Sequence, residues 1–402
     1  MIPVTKAQEL ILENSLPLGV QDQKVEKALT YVLAEDIVAD RPIPPFNRAA
    51  MDGFAVNSKE DITADTQLKI VGKIQTGIAS TLEINPGEAI QIMTGSPCPA
   101  TVDAVVKIEN AKIDGEYVYL NQKNIKPGLN IAQKGEDAAK GKLLIKKGTV
   151  LTPAGIAVCA SVGKDTIKVY QKPKIKIIST GTEIISPEQM PLNHQIRDCN
   201  SYALRTMSYM LDIDAEFIGI GIDEPEVLEK IIEDGLKADI LLLSGGVSEG
   251  DYDHVPSLLA KNGVKKIFHH VNLKPGKPIW FGKTANNTFV FGLPGNPVSV
   301  QSCFKLFVEV LIRRLSGWTD AEHKYMVLPL SEDLPSRTNR EHYTPGRITL
   351  TNGKTHIQPV NIQGSGDFSN FERSQGLIRF PGEMKILKAN ALIEFLPWRE
   401  FL

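Results

Sequence analysis

Apolar and polar positions follow three rhythms along this chain, and each predicts a different kind of structure. Near the start, Val25, Ala28, Leu29, Val32 and Leu33 fall at i, i+3, i+4, i+7 and i+8, one face of an amphipathic helix. Upstream, Thr5 and Gln8 have capping-box spacing, which predicts a helix start. From about residue 40 the apolar residues come in short β-like pieces, at 68–74, 89–93, 104–108 and 117–120, punctuated by Gly, Pro and Asn. That pattern predicts a small β-rich domain ending near Lys147. A mostly apolar stretch at 153–162 predicts a buried helix, with Thr152 as N-cap, Pro153 at the first helical position and Gly163 as its stop.

Residues 174–317 alternate the two periods. Strands are predicted at 175–179, 216–220, 239–244, 278–281 and 288–291, and helices at 202–211, 226–236, 255–261 and 298–315. Asp223 and Asn296 suit N-caps, and Pro297 suits the first turn of the last helix. Such alternation builds a mostly parallel sheet with helices on both faces, a three-layer arrangement. The tail from about Lys324 returns to β and turn, with the turn pairs Asn352-Gly353 and Pro381-Gly382. The fold class is therefore multidomain α/β. The patterns mark a helical start, a β-rich domain ending near Lys147, a central α/β region and a small β domain from about Lys324.

Composition narrows the function. At about 150 residues per domain, a chain of 402 residues has room for two to four domains. The net charge of −2 argues against a protein built around nucleic acid or an anionic membrane, which shows a basic excess. No apolar run approaches the ~18 residues of a membrane span, and no secretory signal opens the chain. The four cysteines, Cys98, Cys159, Cys199 and Cys303, form no C-x-x-C pair, which points to reduced thiols and a cytoplasmic location.

Candidate chemistry gathers in loops after predicted strands. Three of these carry glycine: Ser179-Thr180-Gly181-Thr182-Glu183, Ser244-Gly245-Gly246-Val247-Ser248 and Gly292-Leu293-Pro294-Gly295-Asn296-Pro297. Ligands of parallel sheets bind beyond the carboxyl ends of the strands. Glycine lets backbone amides approach an anion, and a helix N-terminus adds partial positive charge. Lys274-Pro275-Gly276-Lys277-Pro278 adds two cations on a stiff frame, which suits a polyanion. Asp52, Asp137, Glu183 and Asp253 are the candidate catalytic carboxylates. Glu183 and Asp253, beside the phosphate loops, are the candidate Mg²⁺ ligands, because Mg²⁺ needs only one or two carboxylates plus phosphate oxygens. A carboxylate there also serves as a general base. His269-His270 lacks a third metal ligand at fitting spacing and reads as structural.

Several segments together resemble the molybdopterin molybdenumtransferase (MoeA) family, itself similar to the C-terminal part of gephyrin. They are Ala50-Met51-Asp52-Gly53-Phe54-Ala55-Val56, Ile92-Met93-Thr94-Gly95-Ser96-Pro97, Asp103-Ala104-Val105-Val106, Gly135-Glu136-Asp137 and Leu151-Thr152-Pro153-Ala154, followed by Ser179-Thr180-Gly181, the Gly245 loop, the Lys274–Pro278 frame and the Gly292–Pro297 loop. They occur in the family's order and cover nearly the whole chain. The resemblance implies four subdomains: a discontinuous N-terminal helical part (1–38 and 148–173) holding the β-rich insert (39–147), a central α/β domain (174–323) like that of the molybdopterin adenylyltransferase MogA, and a small C-terminal β-barrel domain (324–402). It further implies an elongated homodimer whose active cleft is shared between subunits, with the adenylyltransferase and apo-molybdoenzymes as transient partners.

The implied reaction consumes molybdate and adenylylated molybdopterin, cleaves the pterin phosphate–AMP bond and releases AMP, with Mg²⁺ or a similar ion assisting. Lys274, Lys277, Ser248 and Pro294, Gly295, Asn296 and Pro297 match stretches that hold the pterin or its phosphates; Thr94, Ser179, Gly181, Gly245 and Gly246 lie in further matching stretches. Arg340 and Ser365 match residues that hold molybdate. Thr182 stands where the family has Asp, Ala132-Gln133-Lys134 where it has an Arg, and Glu249 where an apolar residue is typical. After Tyr343 the expected Arg is missing and Pro345-Gly346-Arg347 appears. Two other readings remain at this point: a non-catalytic molybdopterin-binding scaffold and a molybdopterin adenylyltransferase. The carboxylates favour the insertase over the scaffold. The β insert and β tail favour it over the adenylyltransferase, which is a single α/β domain.

Overall fold

The computed structural model describes residues 1–221, 224–246, 254–336, 338–351 and 353–399. They form two compact units: Met1–Glu35, Lys147–Ile156 and Thr166–Leu402 make the larger, and Asp36–Lys146 with Ala157–Asp165 the smaller.

The larger unit is organised by a six-stranded sheet. Its strands are β1 (Ile175–Thr180), β2 (Glu216–Gly221), β3 (Ile240–Ser244), β4 (Lys265–His269), β6 (Trp280–Lys283) and β7 (Phe289–Leu293), while the short β5 (Leu273–Lys274) leaves this sheet for another. The order is β2-β1-β3-β7-β6-β4. The first four run parallel, and β6 and β4 add antiparallel. Ile240, Leu241, Leu242 and Leu243 are fully buried, as a strand covered on both faces requires. One face carries Ile177, Leu242 and Phe291 against α1 (Asn200–Tyr209) and the long C-terminal helix. The other carries Ile178, Leu241 and Leu243 against α2 (Pro225–Gly235) and α3 (Val255–Lys261). The three layers are those read from the sequence.

The long helix runs as α4 (Pro297–Cys303), a π-helical turn (Phe304–Val308) and α5 (Glu309–Leu315). Pro297 takes its first turn as expected, but Asn296 makes no side-chain cap. Lys305, Glu309 and Arg313, one turn apart, are all buried, and both cations donate to Glu309 Oε1.

The tail is all β, as read from the sequence, and closes into the small barrel that the family resemblance implies. Strands Met326–Pro329, Leu392–Pro397, Gly376–Phe380, Glu341–Thr351 and Lys354–Pro359 pair in turn, and a parallel bridge from Leu330 to Ile357 closes the ring. It is less separate than its composition suggests. β5 pairs with Glu341–Thr351, so the central region lends the barrel sheet a strand.

The N-terminus holds one helix, not two. Val4–Glu13 begins after Pro3 with no side-chain cap, and Gln8 instead donates to the Leu306 carbonyl at 2.9 Å. The second expected helix is absent. Val25–Lys27 is a single 3₁₀ turn, and Thr30 has φ +66°, which no right-handed helix accommodates. Ala28, Val32 and Leu33 are buried all the same. Their helical spacing is overridden by pairing, since the Tyr170 N–H donates to the Val32 carbonyl and the Leu33 N–H to the Thr149 carbonyl. The helix Pro153–Ser161 does form, with Thr152 Oγ1 accepting from the Gly155 N–H at 3.2 Å. It is not the buried helix expected: only Cys159 within it is buried, and Pro153, Ala154, Ala157 and Ala160 are exposed. A uniformly apolar sequence has no stripe to direct one face inward.

The smaller unit is a six-stranded sheet in the order Ala104–Lys107, Gly53–Val56, Glu88–Ile92, Gln67–Ile74, Tyr117–Leu120, Ala111–Asp114. Its alternating pattern buries Ala55, Ile90 and Val105 in one cluster and Phe54, Ala89 and Val106 in another.

Candidate active site

A cleft of about 630 Å³ opens in the larger unit between the central sheet and the barrel. The pairing of β5 with the barrel sheet builds it. Lys274 is the register partner of His342, and Arg340 Nη1 donates to the Leu273 carbonyl at 3.1 Å, so Lys274, Arg340 and His342 share one wall. Lys277, Pro294, Asn296 and Ser365 also line it. The structure thus gathers six of the residues read from sequence into one cationic cavity. Gly276 is required beneath it: φ is +110°, and a Cβ there would lie 2.4 Å from the buried Cys303 Sγ.

The loop after β7 also lines the cleft, through Pro294 and Asn296. Asn296 Nδ2 donates to Ser365 Oγ at 2.8 Å, and the Val298 N–H donates to the Ser365 carbonyl at 3.1 Å. The Asn296 side chain, read as a helix cap, in fact ties the barrel loop to the start of α4.

Ser179, Gly181, Gly245, Gly246 and Gly295 lie at the carboxyl ends of the parallel strands or in the loops that follow them, and Pro297 opens α4. Gly245 has φ +96°, its N–H donates to the Leu293 carbonyl at 3.0 Å, and a Cβ would come within 2.6 Å of the Thr180 carbonyl oxygen. That close approach is why a glycine stands there. Ser179 is buried and donates to Asp198 at 2.8 Å, so its hydroxyl supports the loop from beneath. Glu183 is exposed, with its carboxylate folded over Gly181. Ser248 and Asp253 lie outside the described residues.

Asp52 and Thr94, in the smaller unit, are brought together. Asp52 Oδ1 accepts from the Thr94 N–H at 2.6 Å and from Thr94 Oγ1 at 2.8 Å. The backbone N–H, then the hydroxyl, hold the carboxyl below its ordinary range, with Lys73 adding to the effect, so Asp52 is an anion at neutral pH. Asp137 is exposed and takes no part in that pair. Its N–H donates to the Ile43 carbonyl, and its own carbonyl accepts from Lys142 Nζ at 2.6 Å.

Sequence reasoning missed three side chains. His342 lines the cleft, and burial, with Lys274 and Arg340 beside it, pushes its imidazole down to about 4. It is therefore neutral at pH 7, and the cleft's charge comes from Lys274, Lys277 and Arg340. No motif marked it. Asp198 and Asn200 hold the strand ends, and the Asp-Cys-Asn-Ser run before a helical stretch was the available signal. Arg347 does not supply the missing family Arg: its guanidinium is held by Gln358 Oε1 at 2.8 and 3.0 Å, outside the cleft lining.

A hard divalent cation asks for oxygen donors, mostly water and phosphate plus one or two carboxylates. The exposed carboxylate of Glu183 beside the strand-end loops fits that donor chemistry. No three His, Cys, Asp or Glu side chains converge among the described residues. Among the described residues no helix is long and apolar enough to cross a membrane.

Comparison with known proteins agrees along the whole length. Residues 2–163 match the MoeA N-terminal region (domain I and II), 176–314 a probable molybdopterin binding domain, and 327–398 the MoeA C-terminal region (domain IV). The chain is 31% identical over 409 residues to the molybdopterin molybdenumtransferase of Haemophilus influenzae, covering 100% of both. It is 28% identical over 400 residues to that of Staphylococcus aureus, covering 98% of this chain and 95% of the relative. Two crystal structures of a molybdopterin biosynthesis MoeA protein from Pyrococcus horikoshii superpose with TM-scores of 0.81 and 0.83, at 30% and 27% identity. They cover 100% and 99% of this chain and 100% of each counterpart. On sequence, domain order and fold together, the chain belongs to the MoeA family of molybdopterin molybdenumtransferases.

Proposed function

We propose that this protein transfers molybdenum from molybdate to adenylylated molybdopterin in molybdenum cofactor biosynthesis, releasing AMP. The observation that carries the reading is the cleft that places Lys274, Lys277 and Arg340 together beside glycine loops at the ends of a parallel sheet. Both substrates are anions, and a fixed cationic cavity with backbone donors is what holds them without reorganisation. The β5 pairing fixes the backbone of Lys274, and the Leu273 carbonyl holds the Arg340 guanidinium, so less of the Arg340 side chain remains to be ordered on binding.

In this reading the lysines and Arg340 hold phosphate and molybdate oxygens and oppose the negative charge that grows as the pterin phosphate–AMP bond breaks. His342, neutral, accepts or donates a hydrogen bond at the same wall. Ser365, held by Asn296, is set to contact the oxyanion. Asp52, ionised and fixed by Thr94, and Asp137 are the proposed carboxylates for proton transfer or substrate orientation. Mg²⁺, when bound, would neutralise phosphate charge, with Glu183 as its protein ligand and Asp253 as the second expected one. The active species is proposed to be a cytoplasmic homodimer that receives substrate from the adenylyltransferase and passes cofactor to apo-molybdoenzymes.

The test is reconstitution. The purified protein, supplied with adenylylated molybdopterin, molybdate and Mg²⁺, should activate an apo-molybdoenzyme at molybdate concentrations that do nothing without it. Activation no greater than that of the mixture lacking the protein would defeat the proposal.

A further inference from the structure

The strand ends that carry the glycine loops are tied together by two buried side chains. Asp198 is 5% exposed, and its carboxylate accepts four hydrogen bonds. These come from Ser179 Oγ at 2.8 Å, Ser201 Oγ at 2.6 Å, the Asn200 N–H at 3.0 Å and the Ser201 N–H at 3.1 Å. The two amides belong to the first turn of α1, where backbone donors lack helical partners, and Ser179 belongs to the end of β1. Two residues on, Asn200 is 9% exposed. Its Nδ2 donates to Ser244 Oγ at 2.9 Å, at the end of β3, and to the Gly295 carbonyl at 2.7 Å, in the loop after β7. A carboxamide has two N–H donors, and both are used.

The connection continues into the cleft. Gly295 precedes Asn296, which donates to Ser365 in the barrel loop that lines the cleft. An unbroken line of hydrogen bonds and peptide links therefore runs from Ser179 through Asp198, Asn200 and Gly295 to Asn296 and Ser365. Neither Asp198 nor Asn200 lines the cleft itself. Helix capping accounts for the two amide bonds of Asp198 but not for its bond from Ser179 at the end of β1, nor for Asn200, whose donors leave the helix for the end of β3 and the loop after β7.

We propose that Asp198 and Asn200 are positioning residues that preset the loop 292–297, and through Asn296 the Ser365 wall, for the phosphate-bearing pterin and oxyanion. The inference rests on the functional reading above. Removing Asn200 deletes no substrate contact. It frees the Gly295 carbonyl to turn, so order that the fold supplies beforehand must be supplied at binding.

The test measures molybdopterin binding by ultrafiltration, together with melting temperature, for the unsubstituted protein and for Asn200→Ala, Asn200→Asp and Ser201→Ala. Asn200→Ala should weaken binding about tenfold, the size of one to two lost hydrogen bonds. Asn200→Asp should weaken it at least as much, because a carboxylate then faces the Gly295 carbonyl. In turnover, KM should rise while kcat stays within about threefold. Ser201→Ala, which removes one of the Asp198 bonds but leaves both Asn200 donors, should lower the melting temperature and keep binding within about twofold. Should Asn200→Ala fail to fold, the smaller change Asn200→Ser carries the same expectation. Binding by the Asn200 variants equal to the unsubstituted protein would overturn the inference alone, as would an equal loss in Ser201→Ala. If the unsubstituted protein binds no molybdopterin, the functional reading fails and this inference falls with it.

Discussion

His342 makes the cleft's electrostatics measurable through pH. Its imidazole is held down to about 4 by burial first, and then by the cations of Lys274 and Arg340, against an ordinary value of 6.5. Glu341 on the same strand is occupied by Arg379 at 2.6 Å, so it does not offset those cations. The unfolded chain takes up a proton near pH 6.5 that the folded chain refuses until about pH 4. Stability from this group is therefore complete above pH 6.5 and is lost as pH falls through that window. At ~1.36 kcal/mol per unit, the whole window is worth ~3 kcal/mol, of which ~2 kcal/mol goes between pH 7 and pH 5. His342→Gln keeps a polar side chain and removes the proton site. All three tryptophans, Trp280, Trp318 and Trp398, lie in the larger unit, so their fluorescence follows its unfolding in urea. Between pH 7 and pH 5 the variant should lose ~2 kcal/mol less than the unsubstituted protein. An equal loss in both would refute the placement of a neutral imidazole between two cations. A bound oxyanion screens those cations, so molybdate should move the His342 titration, followed by NMR of labelled histidine, toward higher pH.

Other outcomes follow from the same geometry. Asp52→Ala should leave circular dichroism and melting nearly unchanged, since the carboxylate sits on an exposed turn, and lower AMP release by ~100-fold or more; full activity would remove Asp52 from the reaction. Glu309→Gln takes the acid from between buried Lys305 and Arg313 and should cost about 3–5 kcal/mol in urea unfolding; a change below ~1 kcal/mol would mean the cations do not depend on it. Gly245→Ala meets both a φ of +96° and the Thr180 carbonyl. It should cost at least 1–3 kcal/mol and weaken molybdopterin binding, and calorimetry with a binding titration checks both.

The parallel strands were legible because buried strands read as continuous apolar runs, as in 240–243, and their loops because glycine and proline mark turns by backbone geometry. The helix at 25–33 was misread because burial, not helical pairing, sets the spacing of Ala28, Val32 and Leu33. The exposure of Pro153–Ser161 was invisible because its composition has no polar face. At the site, lysines and glycines could be read because their chemistry is local. His342 could not, since its role depends on β5 crossing to the barrel sheet and bringing Lys274 beside it. Asn200 was likewise hidden, because its partners Ser244 and Gly295 are 44 and 95 residues away along the chain.

The most direct test of the central claim is AMP release from adenylylated molybdopterin, followed with and without molybdate. The account predicts release that needs the protein, saturates with molybdate, and is lost in Lys274→Ala and Arg340→Ala variants that still fold. Release that ignores molybdate, or that survives the loss of both cations, would contradict it.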